Sequence, residues 1–431
     1  MKKTGMLLVA AVLFLAVAGW LNRPLLERRQ TLRPPNQTDL RQAPPLVAFT
    51  TVALGGFRGI LADVLWLRIS TLQDEGRYFE ITQLADWITK LEPTFTEVWS
   101  YHAWNMAYNI GLLFDNPADR WRWVENGIRM LREGGLRENP DNPRLCWELG
   151  WMYFNKIGGF ADNAAGYYQF QLYQAMESVL PGGFLKEERP DAALRGQFRL
   201  EGSVMARVDH TLGPLDWRLP ESQAVYWAWV GREHTKGPPD LFLERLLYQA
   251  MIGSCLRGRL VCVPERQIQV RLVRLDLFFP ALHQLAEARR LFPDDDGICS
   301  ANDFLMRAAI FELYAHGLDE PARNLLDRYR QEHPLAPADL ASFAMAEATG
   351  GRQATAGYLG RVESLFFDAE IARLQGRRSV AERLDTLATY SFDGMASLVK
   401  KAGETLPFTM DEARDKVRQQ AQAVRQAGRT P

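Results

Sequence analysis

The chain has 431 residues, enough for one elongated helical-repeat domain or for two to three compact domains. Its formal net charge of −1 argues against general nucleic-acid binding, which needs a surplus of Lys and Arg to neutralise phosphates. Apolar residues make up 47% and charged residues 24%, a balance typical of globular proteins that bury a sizeable core.

The first 22 residues are predicted to form a transmembrane helix. Two lysines precede a strongly apolar run, 6–21, which with its flanks is long enough for a spanning helix of about 20 residues. A signal peptide removed after residues 16–18 is the alternative. Residues 23–45 carry two Pro-Pro pairs, which predict an extended linker that holds the folded part off the membrane.

Residues 46–69 are also apolar, but they do not predict a second span. Arg58 and Asp63 interrupt the run and Gly55-Gly56 breaks it, so too few clean apolar residues remain to cross a membrane. We expect instead a buried or membrane-apposed helix from about Gly56. Residues 46–180 are then predicted to form a set of N-terminal helical repeats.

The repeats are indicated by spacing. Pro93 and Pro140 both end helices and lie 47 residues apart, and Trp99 and Cys146 are separated by the same interval. The tetratricopeptide period is about 34 residues, so an enlarged loop around 111–123 accounts for the excess. Similar helix-turn-helix patterns further on, one of them with its turn at Gly317, end in proline or Pro-Asp and predict C-terminal repeats over 241–407. The predicted fold class is all-α, a tetratricopeptide-like helical-repeat solenoid.

Two segments break this rhythm. Residues 181–240 are rich in Gly and Pro and are predicted to be an irregular insertion, functional or poorly ordered, with a helix over about 220–231. In its turn 216–218, Asp-Trp-Arg, we expect the aspartate to cap and the arginine to pair with a carboxylate, although a functional loop is the alternative. Residues 408–431 are polar and predict a solvated final helix that frays.

The four cysteines form no CxxC pair and the six histidines show no metal-ligand spacing, so we expect no cofactor and no metal. Cys255 and Cys262 flank a Gly-containing turn. They form either a disulfide in an oxidising compartment or two buried thiols. His102 lies on an aromatic helix with no nucleophile pattern around it, which predicts an interior histidine and not a catalytic base.

Four long aromatic-rich strings, 55–68, 76–109, 119–140 and 213–228, resemble membrane-anchored tetratricopeptide-like envelope proteins of planctomycete and verrucomicrobial bacteria. The resemblance covers roughly residues 50 to 230. It implies a helical-repeat fold and a bacterial envelope setting, and it carries over no catalytic residue. The C-terminal half matches only as generic helical repeat.

The first helices of two adjacent repeat pairs present aromatic side chains at the positions that line a tetratricopeptide groove. Such a groove suits an apolar helix or an extended peptide of a partner protein. The alternative is that another helical layer or the 181–240 insertion covers these rings. The predicted groove consists of Trp104, Tyr108, Arg144, Trp147, Trp151, Phe154 and Asn155.

We therefore expect a non-enzymatic scaffold that binds a protein or peptide of the cell envelope and no nucleic acid. A single N-terminal helix would anchor it in the bacterial inner membrane, with the soluble part in the periplasm. The rival hypothesis is a glycoside-type hydrolase or lyase with an α/α toroid. Its Trp-lined funnel would need a carboxylate pair about 5 Å apart for retention or about 6.5–9.5 Å for inversion, with candidates Asp209, Asp216 and Glu148.

Overall fold

The computed structural model describes residues 57–159, 162–186, 191–263, 265, 268–350, 355–401, 403, 406 and 408–427. This part of the chain is mostly helical, as predicted for an all-α fold. Within it, no helix combines the length and the apolar character that crossing a membrane requires. The predicted anchor, 1–22, and the predicted linker, 23–45, lie outside the described residues. The chain divides into two compact units, one ending at Phe95 and the other beginning at Thr96.

The first unit contains two helices that pack against each other, α1 (Phe57–Asp74) and α2 (Tyr78–Leu91). Arg77 forms an ion pair with Glu80 in the first turn of α2. The buried face of α2 is aliphatic. Ile81, Ala85 and Ile88 are buried, whereas Phe79 and Trp87 are exposed. The smaller aliphatic stripe faces α1, and the large aromatic residues stay outside.

The second unit opens with two helices of identical layout, 47 residues apart. Helix α3 (Thr96–Trp104) continues as a π-helical segment, Asn105–Ile110; α5 (Pro143–Trp151) continues as another, Met152–Ile157. Between them lies α4 (Pro117–Arg129), itself extended by π-helical Met130–Gly135. The equal spacing of the α-to-π transitions confirms the interval predicted from Trp99 and Cys146.

An Asn-Pro pair starts both α4 and α5. Proline at the first helical position loses no hydrogen bond, because that N–H has no partner within a helix. The Asn116 side chain accepts from the N–H of Ala118 at 2.9 Å, and the Asn142 side chain accepts from that of Leu145 at 3.0 Å. Local sequence chemistry thus fixes where these helices begin.

Helix α5 pairs most extensively with a helix that follows it by more than 60 residues. Between them lie α6 (Ala165–Val179), a short helical turn with a π-helical segment (Asp191–Ala193 and Leu194–Phe198) and α7 (Gly202–Leu212). The partner is α8 (Pro220–His234). Its start confirms the predicted helix, but residues 202–234 differ from the expected irregular insertion because two regular helices occupy them.

Two glycines allow the close approach of α5 and α8. A β-carbon on Gly150 would lie 2.8 Å from Cδ2 of Leu246 and 3.3 Å from the carbonyl oxygen of Ala224. One on Gly231 would lie 3.2 Å from Cβ of Cys146. Larger residues at these positions would force the helices apart.

The chain then continues through α9 (Leu241–Arg257), a hairpin of β1 (Arg259–Val263) and β2 (Ile268–Leu272), and a 3-10 turn, Leu275–Leu277. The strands are antiparallel, with Val261 opposite Val270. This hairpin departs from a purely helical fold. No disulfide joins Cys255 to Cys262, and both thiols are buried. Burial raises the pKa of the Cys255 thiol.

A buried ion cluster ties α8 to α9 and β2. The Glu221 carboxylate, fully buried, lies between the guanidinium groups of Arg257, at 3.1 Å, and Arg271. Arg271 also donates from Nε to the carbonyl oxygen of Arg257 at 3.2 Å. Burial alone would raise the pKa of Glu221, but the charges of Arg271 and Arg257 outweigh it and lower that pKa.

Helices α10 (Phe278–Leu291), α11 (Asp296–Ala315) and α12 (Asp319–Glu332) follow as antiparallel neighbours. Gly317, with φ of +84°, makes the predicted turn between α11 and α12. These helices share one hydrophobic core with α3 to α9.

A second core forms around the hairpin and the last four helices, α13 (Leu340–Gly350), α14 (Thr355–Leu374), α15 (Arg378–Lys401) and α16 (Met410–Gln426). The tail was expected to fray in solvent. Instead α16 starts with a capping box between Thr409 and Glu412 and buries Val417, Ala421 and Val424. The apolar stripe of α16 is narrow, so the polar composition of residues 408–431 does not indicate that one face of the helix is buried.

Within this second core, His316 lies largely buried between two acidic residues, with 11% of its side chain exposed. Its Nδ1 lies 2.8 Å from the carbonyl oxygen of Glu312, and its Nε2 lies 3.2 Å from Oδ2 of Asp368. Arg259 pairs with Asp368, and the Arg361 guanidinium lies 3.9 Å from the Glu312 carboxylate. Burial would lower the pKa of His316, but the hydrogen bond and charge of Asp368 and the charge of Glu312 outweigh it and raise that pKa.

This arrangement predicts a pH-dependent contribution to stability. Because the folded-state pKa of His316 is raised, its contribution is fully present below its unfolded pKa of about 6.5 and is lost as pH rises through the folded pKa. His316→Gln should therefore destabilise the protein more at pH 5.5 than at pH 9. Urea unfolding of the wild type and the variant at both pH values checks this. An equal loss at the two pH values would contradict it.

Candidate protein-binding surface

The predicted groove residues lie on two neighbouring helices and form two ladders of aromatic rings. On α3 and its π-helical extension, Trp104 stacks on Tyr108 with ring centroids 5.1 Å apart and planes at 17°. On α5, Trp147 stacks on Trp151 at 5.7 Å and 12°, and Trp151 contacts Phe154 at 5.9 Å. The i, i+4 spacing of the stacked pairs places each pair on one helix face.

The two ladders meet at a hydrogen bond between the helices. The Tyr108 hydroxyl donates to Oδ1 of Asn155 at 3.0 Å, across the same 47-residue interval. The Nζ of Lys156 lies 5.1 Å from the centre of the Tyr108 ring, a cation–π distance. The structure therefore brings Tyr108 and Asn155, predicted from separate helices, into one surface.

Phe242, which was not predicted, extends this surface onto a third helix. It packs edge-on against Trp147 at 5.8 Å and leaves 53% of its surface exposed. It sits in the first turn of α9, where the Asp240 side chain accepts from its backbone N–H at 2.8 Å. The sequence signal for Phe242 is an aromatic residue directly after a helix cap. Its contact with Trp147, however, depends on tertiary packing. We call Trp104, Tyr108, Trp147, Trp151, Phe154 and Phe242 the aromatic strip.

The strip is partly exposed, whereas the apolar neighbours of its rings are buried. Leu145 and Leu149 on α5 and Met152 on its π-helical extension lie in the hydrophobic core. Trp147 and Trp151 pack on that core from outside and remain half-buried, and Trp104 is 39% exposed.

Below the strip, a buried ion pair holds the end of α5. Nζ of Lys156 lies 2.7 Å from Oδ2 of Asp162, which also accepts from the Tyr168 hydroxyl at 3.1 Å. Arg120 on α4 contacts the other carboxylate oxygen at 3.2 Å. Burial would raise the pKa of Asp162, but hydrogen bonds from Lys156 and Ala164 hold it below its ordinary value. Lys156 thus links this buried pair to the Tyr108 ring of the strip.

At the start of α5, a salt bridge and an aromatic ring share one arginine. The Arg144 guanidinium lies 4.5 Å from the centre of the Trp147 ring and donates from Nε and Nη2 to Oε1 of Glu148, at 3.0 and 2.7 Å. Burial raises the pKa of Glu148, although the Arg144 charge opposes the change. Both groups are thereby fixed beside the strip.

The Asp-Trp-Arg turn makes the cap and the carboxylate–arginine contacts predicted for it. Asp216 accepts from the backbone N–H of Arg218 at 3.1 Å and pairs with its guanidinium at 2.8 and 2.6 Å; Arg218 also donates to Glu177 at 2.9 Å. Trp217 is fully buried, and its Nε1 donates to Oδ2 of Asp209 at 3.1 Å. A turn with these contacts fixes the chain that leads into α8.

The three carboxylates of the hydrolase hypothesis thus each have structural partners. Asp209 accepts from Trp217 and from the backbone N–H of Leu215 at 2.9 Å, Asp216 holds Arg218, and Glu148 holds Arg144. His102 is buried, as expected for an interior histidine. Among the described residues, no three His, Cys, Asp or Glu side chains are placed to hold a metal ion.

A separate cleft of about 250 Å³ lies among α10, α11 and α12. One of its acceptors, Asp303, is already engaged. It accepts from the Tyr329 hydroxyl at 2.9 Å and lies 3.3 Å from Nε2 of His333, whose ring stacks on Tyr329. The cleft shares no residue with the aromatic strip.

In comparisons with known proteins, no family model matches the chain, and no curated protein matches it significantly.

Proposed function

We propose that this protein is a tetratricopeptide-like scaffold of the bacterial envelope that binds another protein through the aromatic strip. The observation that carries the proposal is the continuity of the strip: six partly exposed rings on α3, α5 and α9, linked by ring contacts and by the Tyr108–Asn155 hydrogen bond. Exposed tryptophan and tyrosine side chains set on a well-packed base are the usual energetic centres of protein interfaces.

The order of helix packing supports a repeat architecture. The helices pair as α3 with α4, α5 with α8, α9 with α10 and α11 with α12. The first members of successive pairs are also neighbours, α3 beside α5, α5 beside α9 and α9 beside α11. In tetratricopeptide-type stacks the first helices form one binding face. The strip lies on the first helices of three such pairs.

The envelope setting rests on the sequence. The apolar run 6–21, its preceding lysines and the Pro-rich segment 23–45 favour a single inner-membrane helix followed by a spacer, with the scaffold in the periplasm. The resemblance of residues 50 to 230 to anchored envelope proteins points the same way. A scaffold held at a membrane would bind its partner there.

The partners of Asp209, Asp216 and Glu148 support binding over glycoside hydrolysis. A hydrolase needs one carboxylic acid and one carboxylate facing the substrate. Here the Asp216 side chain is almost fully buried against Arg218, and Glu148 is buried against Arg144. These contacts favour structural roles.

A pull-down of the full-length protein from its native membranes tests the proposal. The double variant Trp104→Ala/Trp151→Ala should reduce recovery of the specific partner by about tenfold or more, because truncation of two anchor rings removes most of the binding energy. Phe279→Ala is the matched control, since Phe279 is 48% exposed but lies on α10, away from the strip. Unchanged recovery with the double variant, its circular dichroism intact, would refute the proposal.

A further inference from the structure

We infer that the aromatic strip recognises a proline-rich segment of its partner in the polyproline II conformation. This inference rests on the proposed function and names the chemistry of the ligand. It follows from the hydrogen-bonding groups that the strip leaves unpaired, from its length and from its exposed ring surface.

Several hydrogen-bond donors on and beside the strip have no partner among the described residues. The indole N–H groups of Trp104, Trp147 and Trp151 donate to no group among the described residues. The side-chain amide N–H groups of Asn155 and Nη1 of Arg144 are likewise unpaired there. A ligand with exposed acceptors would satisfy them.

Two acceptor atoms beside the strip are already engaged. Oδ1 of Asn155 accepts from Tyr108 at 3.0 Å, and Oε1 of the buried Glu148 accepts twice from Arg144, which leaves Oε2 of Glu148. A ligand with many backbone N–H groups would leave most of them unpaired, at the cost of desolvation. The surface therefore favours ligands rich in acceptors and poor in donors.

Among peptide conformations, a proline-rich polyproline II segment meets this condition best. Proline has no backbone N–H, and the conformation has no internal hydrogen bonds, so every carbonyl oxygen points to solvent. An α-helix uses its own carbonyl groups, and an extended strand brings N–H groups that need acceptors. Pyrrolidine rings also pack on aromatic faces, which is how aromatic-lined grooves bind such segments.

The dimensions agree with a short segment. Neighbouring packed helices lie about 8–10 Å apart, so a strip across three helices is about 20 Å long. At about 3.1 Å per residue, some six or seven residues in the polyproline II conformation span it. The conformation exists before binding, so little entropy is lost.

The test uses a fluorescein-labelled oligoproline of about ten residues and the full-length protein in detergent, followed by fluorescence anisotropy. We expect saturable binding to the wild type. Trp147→Ala/Trp151→Ala should weaken it by about tenfold or more, and Phe279→Ala should leave it unchanged. Trp147→Phe/Trp151→Phe keeps the rings but removes the N–H donors, and it should weaken binding by roughly fivefold.

A Gly-Ser peptide and an amphipathic helical peptide of equal length are the comparison ligands. If the helical peptide binds and oligoproline does not, the inference is wrong while the proposed function stands. The inference would also be wrong if oligoproline bound equally well to the wild type, to Trp147→Ala/Trp151→Ala and to Trp147→Phe/Trp151→Phe. The proposed function is tested independently by the pull-down. It is wrong if Trp104→Ala/Trp151→Ala recovers the native partner as well as the wild type does.

Discussion

Replacement of Glu221 by alanine should lower the free energy of unfolding by about 3–5 kcal/mol, the usual cost of removing one partner from a buried ion pair. The variant would leave the guanidinium groups of Arg257 and Arg271 in the interior without their carboxylate. It would also loosen the junction of α8 with β2, which fixes the helix paired with α5. Urea unfolding followed by circular dichroism measures the loss.

Glu233→Ala is the matched control for this experiment. Glu233 lies on the same helix and pairs with Arg207 at 2.9 Å, but both side chains are substantially exposed. Such a pair is screened by water, so its loss should change stability by no more than about 1 kcal/mol. If Glu221→Ala and Glu233→Ala lost equal stability, the buried cluster would not be what stabilises the contact of α8 with α9 and β2.

The pH dependence of the Glu221 contribution has a definite sign. Its folded-state pKa is lowered by Arg271 and Arg257 against the effect of burial. The contribution is therefore present above the unfolded pKa of about 4.3 and is lost as pH falls through the folded pKa. The difference between the wild type and Glu221→Ala should shrink in acid.

Trp217→Ala should cost about 3–5 kcal/mol, the range for truncating a large buried aromatic residue. Trp217 is fully buried, packs edge-on against Tyr226 and donates to Asp209. Its backbone N–H also donates to the carbonyl oxygen of Gly183 at 2.9 Å, and its own carbonyl accepts from Gln223 at 2.8 Å. The cavity would lie where α7, α8 and the preceding turn converge.

Trp104→Ala provides the comparison, because Trp104 is 39% exposed and its loss should cost about 1 kcal/mol or less. Thermal unfolding followed by circular dichroism ranks the two variants by stability, and Trp217→Ala should be the less stable. A Trp217→Ala protein of wild-type stability that had lost its partner would make the Asp-Trp-Arg turn a binding loop. Under the present account, Trp217 affects stability and Trp104 affects binding.

A local signal in the sequence was sufficient to predict the helix that begins at Pro220, because proline is favoured at the first helical position. The Asn-Pro pairs at 116–117 and 142–143 cap helices by equally local chemistry, but the loop predicted around 111–123 overlooked the first of them. The interval from Trp99 to Cys146 reproduced the spacing of two helices with the same α-to-π layout. The Gly317 turn was likewise visible because a positive φ favours glycine.

Features that depend on distant packing could not be predicted in this way. Glu221 resembles an ordinary acidic residue in the first turn of a helix, yet Arg257 and Arg271 enclose it. Phe242 joins the strip only because α9 packs beside α5. The pairing of α5 with α8 bridges more than 60 residues, and no local pattern reports it.

The most direct test of the aromatic strip is site-specific photocrosslinking with p-benzoylphenylalanine in the native cells. Phe242 and Phe279 are the matched positions: both are the second residue of a helix, with 53% and 48% of their surfaces exposed. We expect a discrete crosslinked partner from position 242 that is absent from position 279 and lost in Trp104→Ala/Trp151→Ala. Equal crosslinking at both positions, or a 242 product that survives the double variant, would contradict it.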